Sequence, residues 1–283
     1  MRIQICSDLH LWDNEIQKEG FIDLLEPSAP VLALLGDIGD PESKILPIFI
    51  DWCCKHWQQV LYVPGNHEFW RLVPGTNKNI DLTLEMLRQY ESKYTNFKLC
   101  WQTKFVSEDG ILILATPLWS RPSEGVTPND GEQAWFDRDR TFDRMTLASL
   151  HQKDLNWINR ESKFAENHAI ICLTHYAPTL MLVDRDRIQD PEVTLFASDI
   201  ETVLRPPIVA WACGHTHQSV MWSKSWENAS GIDGEVLLVT NPRGSKGSNP
   251  FYRKEFVLKI DPSQFKRPQV GEYPFERIDK ILQ

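Results

Sequence analysis

Five short apolar runs in this chain end in the same kind of residue, and that recurrence restricts the fold more than any other feature. Ile3-Gln4-Ile5-Cys6 leads into Ser7-Asp8-Leu9-His10, and Val31-Leu32-Ala33-Leu34-Leu35 into Gly36-Asp37-Ile38-Gly39-Asp40. Val60-Leu61-Tyr62-Val63 leads into Pro64-Gly65-Asn66-His67-Glu68, Ala169-Ile170-Ile171-Cys172-Leu173 into Thr174-His175-Tyr176, and Ile208-Val209-Ala210-Trp211-Ala212-Cys213 into Gly214-His215-Thr216-His217. Runs of this length without alternation predict strands buried on both faces. Stretches of helical spacing separate several of them: residues 15–26 (Ile16, Phe21, Ile22 and Leu25, with Pro27 as a stop), 43–58, 78–94 and 146–163. Strand–helix–strand order predicts a layered, partly parallel α/β arrangement, in which polar residues after the strands gather at one edge.

The rhythm changes after the third helix. Residues 97–99, 103–106 and 111–115 are short strand candidates joined by brief turns such as Glu108-Asp109-Gly110. They predict antiparallel pairing and the start of a second sheet. Residues 220–222, 236–239 and 256–260 are expected to complete the sheets. Two segments, 117–145 and 178–205, lack regular periodicity and carry mixed charge, including Asp137-Arg138-Asp139-Arg140. Irregular segments of that length are expected to form a rim or cap over a site. In helix 146–163, Asp154 breaks the line of Leu147, Leu150 and Ile158, and Leu155 covers the break. The tail 261–283, with Phe265, Tyr273, Phe275 and Ile278, is expected to pack on the domain or on a second subunit. No repeat and no compositional shift divides the chain, so residues 1–283 are expected to form a single domain.

Charge and cysteine content narrow the function. Lys and Arg total 30 against 39 Asp and Glu, a net charge of -9, which argues against a broad surface for nucleic acid. Six irregularly spaced cysteines, mostly within apolar runs, predict free thiols in a reducing compartment. The first strand starts at residue 2 and leads directly into Asp8, so no removable leader is expected. No apolar run reaches the roughly 18 residues that a spanning helix needs, so no membrane association and a cytoplasmic location are expected.

Five of the eight histidines lie in the strand-end loops. Any one of them alone is an ordinary core or surface residue. Together with the carboxylates they form a set suited to zinc, manganese or iron, and Asn66 adds a neutral oxygen. Seven such residues suffice for two adjacent sites if one carboxylate is shared. Two metals roughly 3.5–4 Å apart form a clamp for displacement at phosphorus.

In order and placement, Asp8-Leu9-His10, Gly36-Asp37, Gly65-Asn66-His67-Glu68, His175 and Gly214-His215-Thr216-His217 resemble the motifs of the calcineurin-like metallophosphoesterases. The resemblance spans roughly residues 2–244, and Val239-Thr240-Asn241-Pro242-Arg243-Gly244 adds to it. It implies an αββα sandwich, two mixed sheets flanked by helices. It also implies two divalent ions, with manganese favoured over iron, zinc, nickel, cobalt or magnesium. By resemblance, Asp8, His10 and His217 hold the first ion, Asn66, His175 and His215 the second, and Asp37 bridges them. A hydroxide between the metals would attack phosphorus in a small phosphomonoester or phosphodiester. His67 would face the substrate and protonate or hydrogen-bond the leaving group, and Asn66 would also touch phosphate. Glu68 stands where the family often has aspartate and is expected to orient His67; Asp40 is expected to fix its loop. Arg121 and Tyr176 are candidate substrate contacts, and Arg243 is expected to close a turn or form a local salt bridge. Two other readings are a nuclease acting on nucleic-acid ends, which the acidic balance disfavours, and a metal-stabilised interaction module without turnover, which the intact ligand set disfavours. Both a monomer and a homodimer are compatible with the sequence.

Overall fold

The computed structural model describes residues 1–11, 20–70, 79–128, 143–165, 168–227 and 233–261. The elements run β1 (Arg2–Cys6), α1 (Phe21–Leu24), β2 (Val31–Leu35), α2 (Ile45–His56), β3 (Gln59–Val63), α3 (Ile80–Lys93), β4 (Phe97–Leu99), β5 (Thr103–Val106), β6 (Leu112–Ala115), α4 (Arg144–Phe164), β7 (Ile170–Leu173), β8 (Ile208–Cys213), β9 (Val220–Glu227), β10 (Asp233–Thr240) and β11 (Val257–Lys259). They build two mixed sheets, one ordered β11-β1-β2-β3-β4 and the other β5-β6-β7-β8-β10-β9. In the first, β1 to β4 run parallel and β11 returns antiparallel to β1, with Ile3 opposite Leu258. In the second, β6, β7, β8 and β10 are parallel, and β5 and β9 are antiparallel edges.

Residue parity explains why the strand sequences are apolar throughout. Side chains alternate between faces along a strand. Ile3, Ile5, Ala33, Leu35, Leu61 and Val63 of the first sheet share one buried cluster with Ile113, Ala115, Ile171, Leu173, Ala210, Ala212 and Val239 of the second. That cluster is the layer between the sheets. The intervening residues, such as Leu32, Leu34, Tyr62, Cys172, Trp211 and Leu238, join the cluster that the helices cover. Each fully buried aliphatic side chain contributes about 1.5–3 kcal/mol, so both faces must be apolar for the sandwich to close. The helices supply matching stripes: Leu46, Phe49, Ile50 and Cys53 in α2 fall at helical spacing. Asn79 caps α3 by accepting from the Leu82 N–H at 3.0 Å, and Asp143 caps α4 by accepting from the Thr146 N–H at 2.7 Å.

The structure departs from expectation at three places. The helix expected over 15–26 is a single turn, Phe21–Leu24, and residues 12–19 lie outside the described ones. Strand β4 does not open the second sheet; it adds in parallel to β3, because α3 is a crossover that carries the chain back to the same edge. The second sheet begins with the antiparallel pair β5 and β6. Asp154 is no break in α4. Its buried carboxylate accepts from the Leu118 N–H and the Gln102 amide, both at 2.9 Å, and ties the helix to the loops around it. Segment 178–205 consists of short 3-10 turns at Leu180–Leu182, Arg185–Arg187, Pro191–Leu195 and Glu201–Val203. Most of the expected cap 117–145, including the charged run at 137–140, and all of the tail beyond Asp261 lie outside the described residues. Among the described residues, no helix is long and apolar enough to cross a membrane.

Candidate metal centre

All five ligand-bearing loops follow parallel strands, so they leave the two sheets at the same end. Asp8 and His10 follow β1, Asp37 follows β2, and Asn66 and His67 follow β3; His175 follows β7, and His215 and His217 follow β8. The centre therefore sits across the seam, with residues from both sheets. Three groups of side chains have ligand-type atoms within 4.8 Å of one another: Asp8, His10 and His217; His10, Asp37 and His67; and Asp37, His175 and His215. Asp37 and His10 each belong to two of the groups, so the three form one continuous cluster.

The loops hold unusual backbone to achieve this. Asp8, His10, Asp37, His215 and His217 all have positive φ, between 50° and 66°. Non-glycine residues adopt that region rarely, and such strain persists where surrounding bonds fix it. Here the Asp8 N–H donates to Gly36 O at 2.9 Å and the His10 N–H to Asp37 O at 3.0 Å. The Gly214 N–H donates to His175 O at 2.9 Å, and the His215 N–H to Asp8 Oδ2 at 3.0 Å. Space is as tight as conformation. A Cβ on Gly65 would stand 2.2 Å from Asp37 Oδ1, and one on Gly36 would stand 2.2 Å from His175 Nδ1.

Hydrogen bonds choose which ring atom each histidine offers. His175 Nδ1 faces the carbonyl of Leu35 at 2.8 Å, so it carries the proton, and Nε2 is left to face Asn66 Oδ1 at 3.0 Å and Asp37 Oδ1 at 3.5 Å. His215 has the opposite tautomer. Its Nε2 donates to Leu195 O at 3.2 Å, which leaves Nδ1 for the centre. His217 Nε2 lies 3.2 Å from both Asp8 Oδ1 and His10 Nε2. The His67 N–H of the backbone donates to Asp37 Oδ1 at 3.0 Å, and its ring Nε2 lies 3.8 Å from Asp37 Oδ2.

Burial holds the His10 imidazole down to about 4, helped by His217, His175 and Arg243 and opposed by Asp8. Burial also keeps His67 and His215 well below the ordinary histidine value. Burial works to raise Asp8, but the hydrogen bond from His217 and the nearby imidazoles outweigh it and hold the carboxyl below the usual range. Burial likewise opposes the upward shift of His217, which its bond to Asp8 produces. The result is a buried set of mostly neutral imidazoles whose lone pairs converge with two carboxylates. Such a set repels itself unless cations sit among its atoms, and imidazole, carboxylate and amide oxygen are the donors that borderline divalent ions accept. The residues present fit divalent metal. The cysteines do not take part: all six are free, and burial pushes the Cys54 and Cys100 thiols up to about 12.

The remaining candidates fall into different positions. Glu68 is buried, and its carboxylate does not reach the His67 ring. It accepts from the N–H groups of Asp37 (3.0 Å), Ile38 (2.7 Å) and Gly65 (2.7 Å) and from the Tyr62 hydroxyl (2.8 Å). It fixes the loops after β2 and β3 through these bonds. Asp40 Oδ1 accepts from the Glu42 N–H at 3.0 Å, within its own turn. Tyr176 is buried, its ring 4.2 Å from that of His215 and 5.3 Å from that of His175. Arg121 lines a cavity whose walls contain none of the centre's residues.

One residue beside the centre escaped the sequence reading, and a second, Arg243, differs from its expected local salt bridge. Trp70 stacks on His67 with ring centroids 3.7 Å apart and planes at 27°. The signal was the spacing: positions i and i+3 eclipse on a 3-10 turn, and His67–Phe69 is one. Arg243 forms no salt bridge among the described residues. Its N–H donates to Ser7 O at 3.0 Å, its charge reaches His10, and its Nη1 is buried without a hydrogen-bond partner.

A profile of the calcineurin-like phosphoesterases matches residues 1–219. Uncharacterized protein L509 of Acanthamoeba polyphaga mimivirus is 29% identical over 245 residues, which cover 81% of this chain and 84% of the viral one. Among solved structures, the phosphopantetheinyl hydrolase PptH of Mycobacterium tuberculosis superposes with a TM-score of 0.63 at 17% identity, covering 94% of this chain and 98% of that one.

Proposed function

Because the chain belongs to the calcineurin-like phosphoesterases, we propose that this centre binds two divalent ions, with manganese the favoured metal, and hydrolyses a small phosphomonoester or phosphodiester. The observation that carries the reading is the continuity of the three side-chain groups, two of which meet at Asp37 and two at His10, as two adjacent ions sharing a carboxylate would require. Asp8, His10 and His217 would hold one ion, and Asn66, His175 and His215 the other. When bound, the ions would acidify the attacking water and neutralise charge on the phosphoryl oxygens.

The chain's own residues supply the rest. Asn66 presents its amide to the phosphate as well as to the centre. His67, held between the Trp70 ring and Asp37, places its ring N–H at the leaving oxygen. The depressed affinity of that ring for a proton rises when a phosphate dianion lies beside it. Arg243 brings a cation next to His10, and its buried Nη1 is suited to a substrate oxygen. The net charge of -9 supports a small ester over a nucleic-acid strand. The fold neighbour named a phosphopantetheinyl hydrolase adds phosphopantetheinyl esters to the substrates worth assaying.

The test compares a chromogenic phosphomonoester with the matching diester, using protein stripped by chelator and resupplied with manganese. Turnover is expected to return with metal. In His67→Ala it is expected to fall about 100-fold or more while both metals stay bound. Loss of one metal in that variant would make His67 a ligand and overturn its assignment to the leaving group. Two bound metals in the wild type with no turnover on either ester would overturn the small-ester reading.

A further inference from the structure

A cavity lined by none of the metal centre's residues lies beside α4. The outward face of α4 and residues 194–205 line this half-open cavity of about 950 Å³, and Arg121 enters from the loop after β6. Among the described residues, Arg121, Arg160, Lys163 and Arg205 line it, against one carboxylate, Asp199. That balance runs against a chain whose net charge is -9. Among the described residues, only Arg160 of the four cations has a side-chain partner: its Nε donates to Glu161 Oε1 at 2.9 Å. Glu161 is itself shared with Lys104.

The ordinary alternative is a solvated basic face, but these cations line a concavity, and clefts lined by one sign of charge focus the field on a bound counter-ion. Amides of Asn156 and Asn159 add neutral donors to the wall. The floor is settled internally: His151 is buried, and its Nδ1 donates to the carbonyls of Leu118 and Trp119 at 3.0 and 3.2 Å. Part of the lining is apolar, with Leu155, Leu180 and the exposed Phe164. A volume of this size suits a small molecule, since ligand pockets run about 300–1,000 Å³. The cavity is also a neighbour of the centre. Thr194, Ala197 and Ser198 line it, while Leu195 between them accepts from His215 and the Phe196 ring lies 5.2 Å from that of His215.

We propose that this cavity binds a small organic polyphosphate, its phosphates on Arg121, Lys163 and Arg205 and its apolar body on Leu155, Leu180 and Phe164. The site stands apart from the metal-dependent reaction, so it can be tested on metal-free protein, where the centre has no ions to hold phosphate. The experiment is calorimetric titration of the metal-free full chain with ADP, with adenosine as the uncharged control, in wild type and in Lys163→Gln/Arg205→Gln. Both replaced residues are exposed, and an unchanged melting temperature checks that the variant folds. The expected result is saturable ADP binding with Kd below about 1 mM, at least tenfold weaker in the double variant, and no binding of adenosine. ADP binding that is absent, or equal in both proteins, or matched by adenosine would overturn the proposal.

Discussion

Glu68 shows how much one buried carboxylate decides at the residue scale. It gathers three backbone N–H groups and a phenol from two loops, and those loops carry Asp37 and Asn66. Glu68→Ala strands these donors in a site without solvent, at about 1–3 kcal/mol for each group left unsatisfied. We expect it to lose more than ~3 kcal/mol in denaturant unfolding and to weaken metal binding about 10–100-fold, as loss of a ligand's support does. Unchanged unfolding would show that water replaces the carboxylate. Asp154 makes a different prediction. Burial outweighs its hydrogen bonds from Gln102 and the Leu118 N–H and raises its carboxyl to about 6. The folded state thus holds a proton that the unfolded state releases near pH 4. Its contribution is present in full below that pH and is lost as pH rises to about 6, a swing of ~3 kcal/mol. Asp154→Asn is expected to flatten that part of the curve, and equilibrium unfolding of both proteins from pH 4 to 7 checks it.

Elements matter here chiefly through where they stop. Parallel strands from two sheets end at one edge, and each ends in residues that would be unremarkable on a strand further from that edge. Gly65 lies where the loop after β3 presses on Asp37 and His175, which belong to different sheets. Gly65→Ala places a methyl 2.7 Å from the Asp37 backbone N and from His175 Cε1. Backbone on one side and a packed ring on the other leave little room to move, so the sheets' edges must part. The variant is expected to bind at most one metal per chain, as read by metal analysis of the purified protein, while its far-UV circular dichroism stays that of the wild type. Retention of two metals would mean that the loops have slack that their contacts do not suggest.

For the whole molecule, the centre acts as a clasp. The layer between the sheets is apolar along its length, and the ligand loops lie at one end of it. Without ions, that end crowds the lone pairs of five imidazoles and two carboxylates into a largely buried space. Metal binds the folded arrangement and not the separated loops, so it adds ~2.7 kcal/mol per site at a free concentration 100 times its Kd. We expect chelation to lower the melting temperature by several degrees. Asp37→Asn removes a carboxylate charge common to two of the three side-chain groups, and its melting temperature is expected to respond far less to manganese. An equal response would place the ions elsewhere. Scanning fluorimetry with and without metal distinguishes the two.

The sequence by itself determined the family, the two mixed sheets and the set of residues at the strand ends. Those are written in local code: unbroken apolar runs that only a doubly covered strand satisfies, and His, Asp and Asn placed directly after them. It also placed α2, α3 and α4 to within a few residues, since periodicity is a local property. Tertiary structure decided what depends on distance. Which sheet took β4, which way the Glu68 carboxylate turned, and why Asp154 interrupts an apolar stripe rest largely on distant partners, among them the Asp37 N–H 31 positions from Glu68 and the Gln102 amide 52 positions from Asp154. The tautomers of His175 and His215 were fixed by the carbonyls of Leu35 and Leu195, 140 and 20 positions off. A cavity lined from Arg121 to Arg205 has no signature in any one stretch, because its charge accumulates only when α4 packs beside the turns that follow β7.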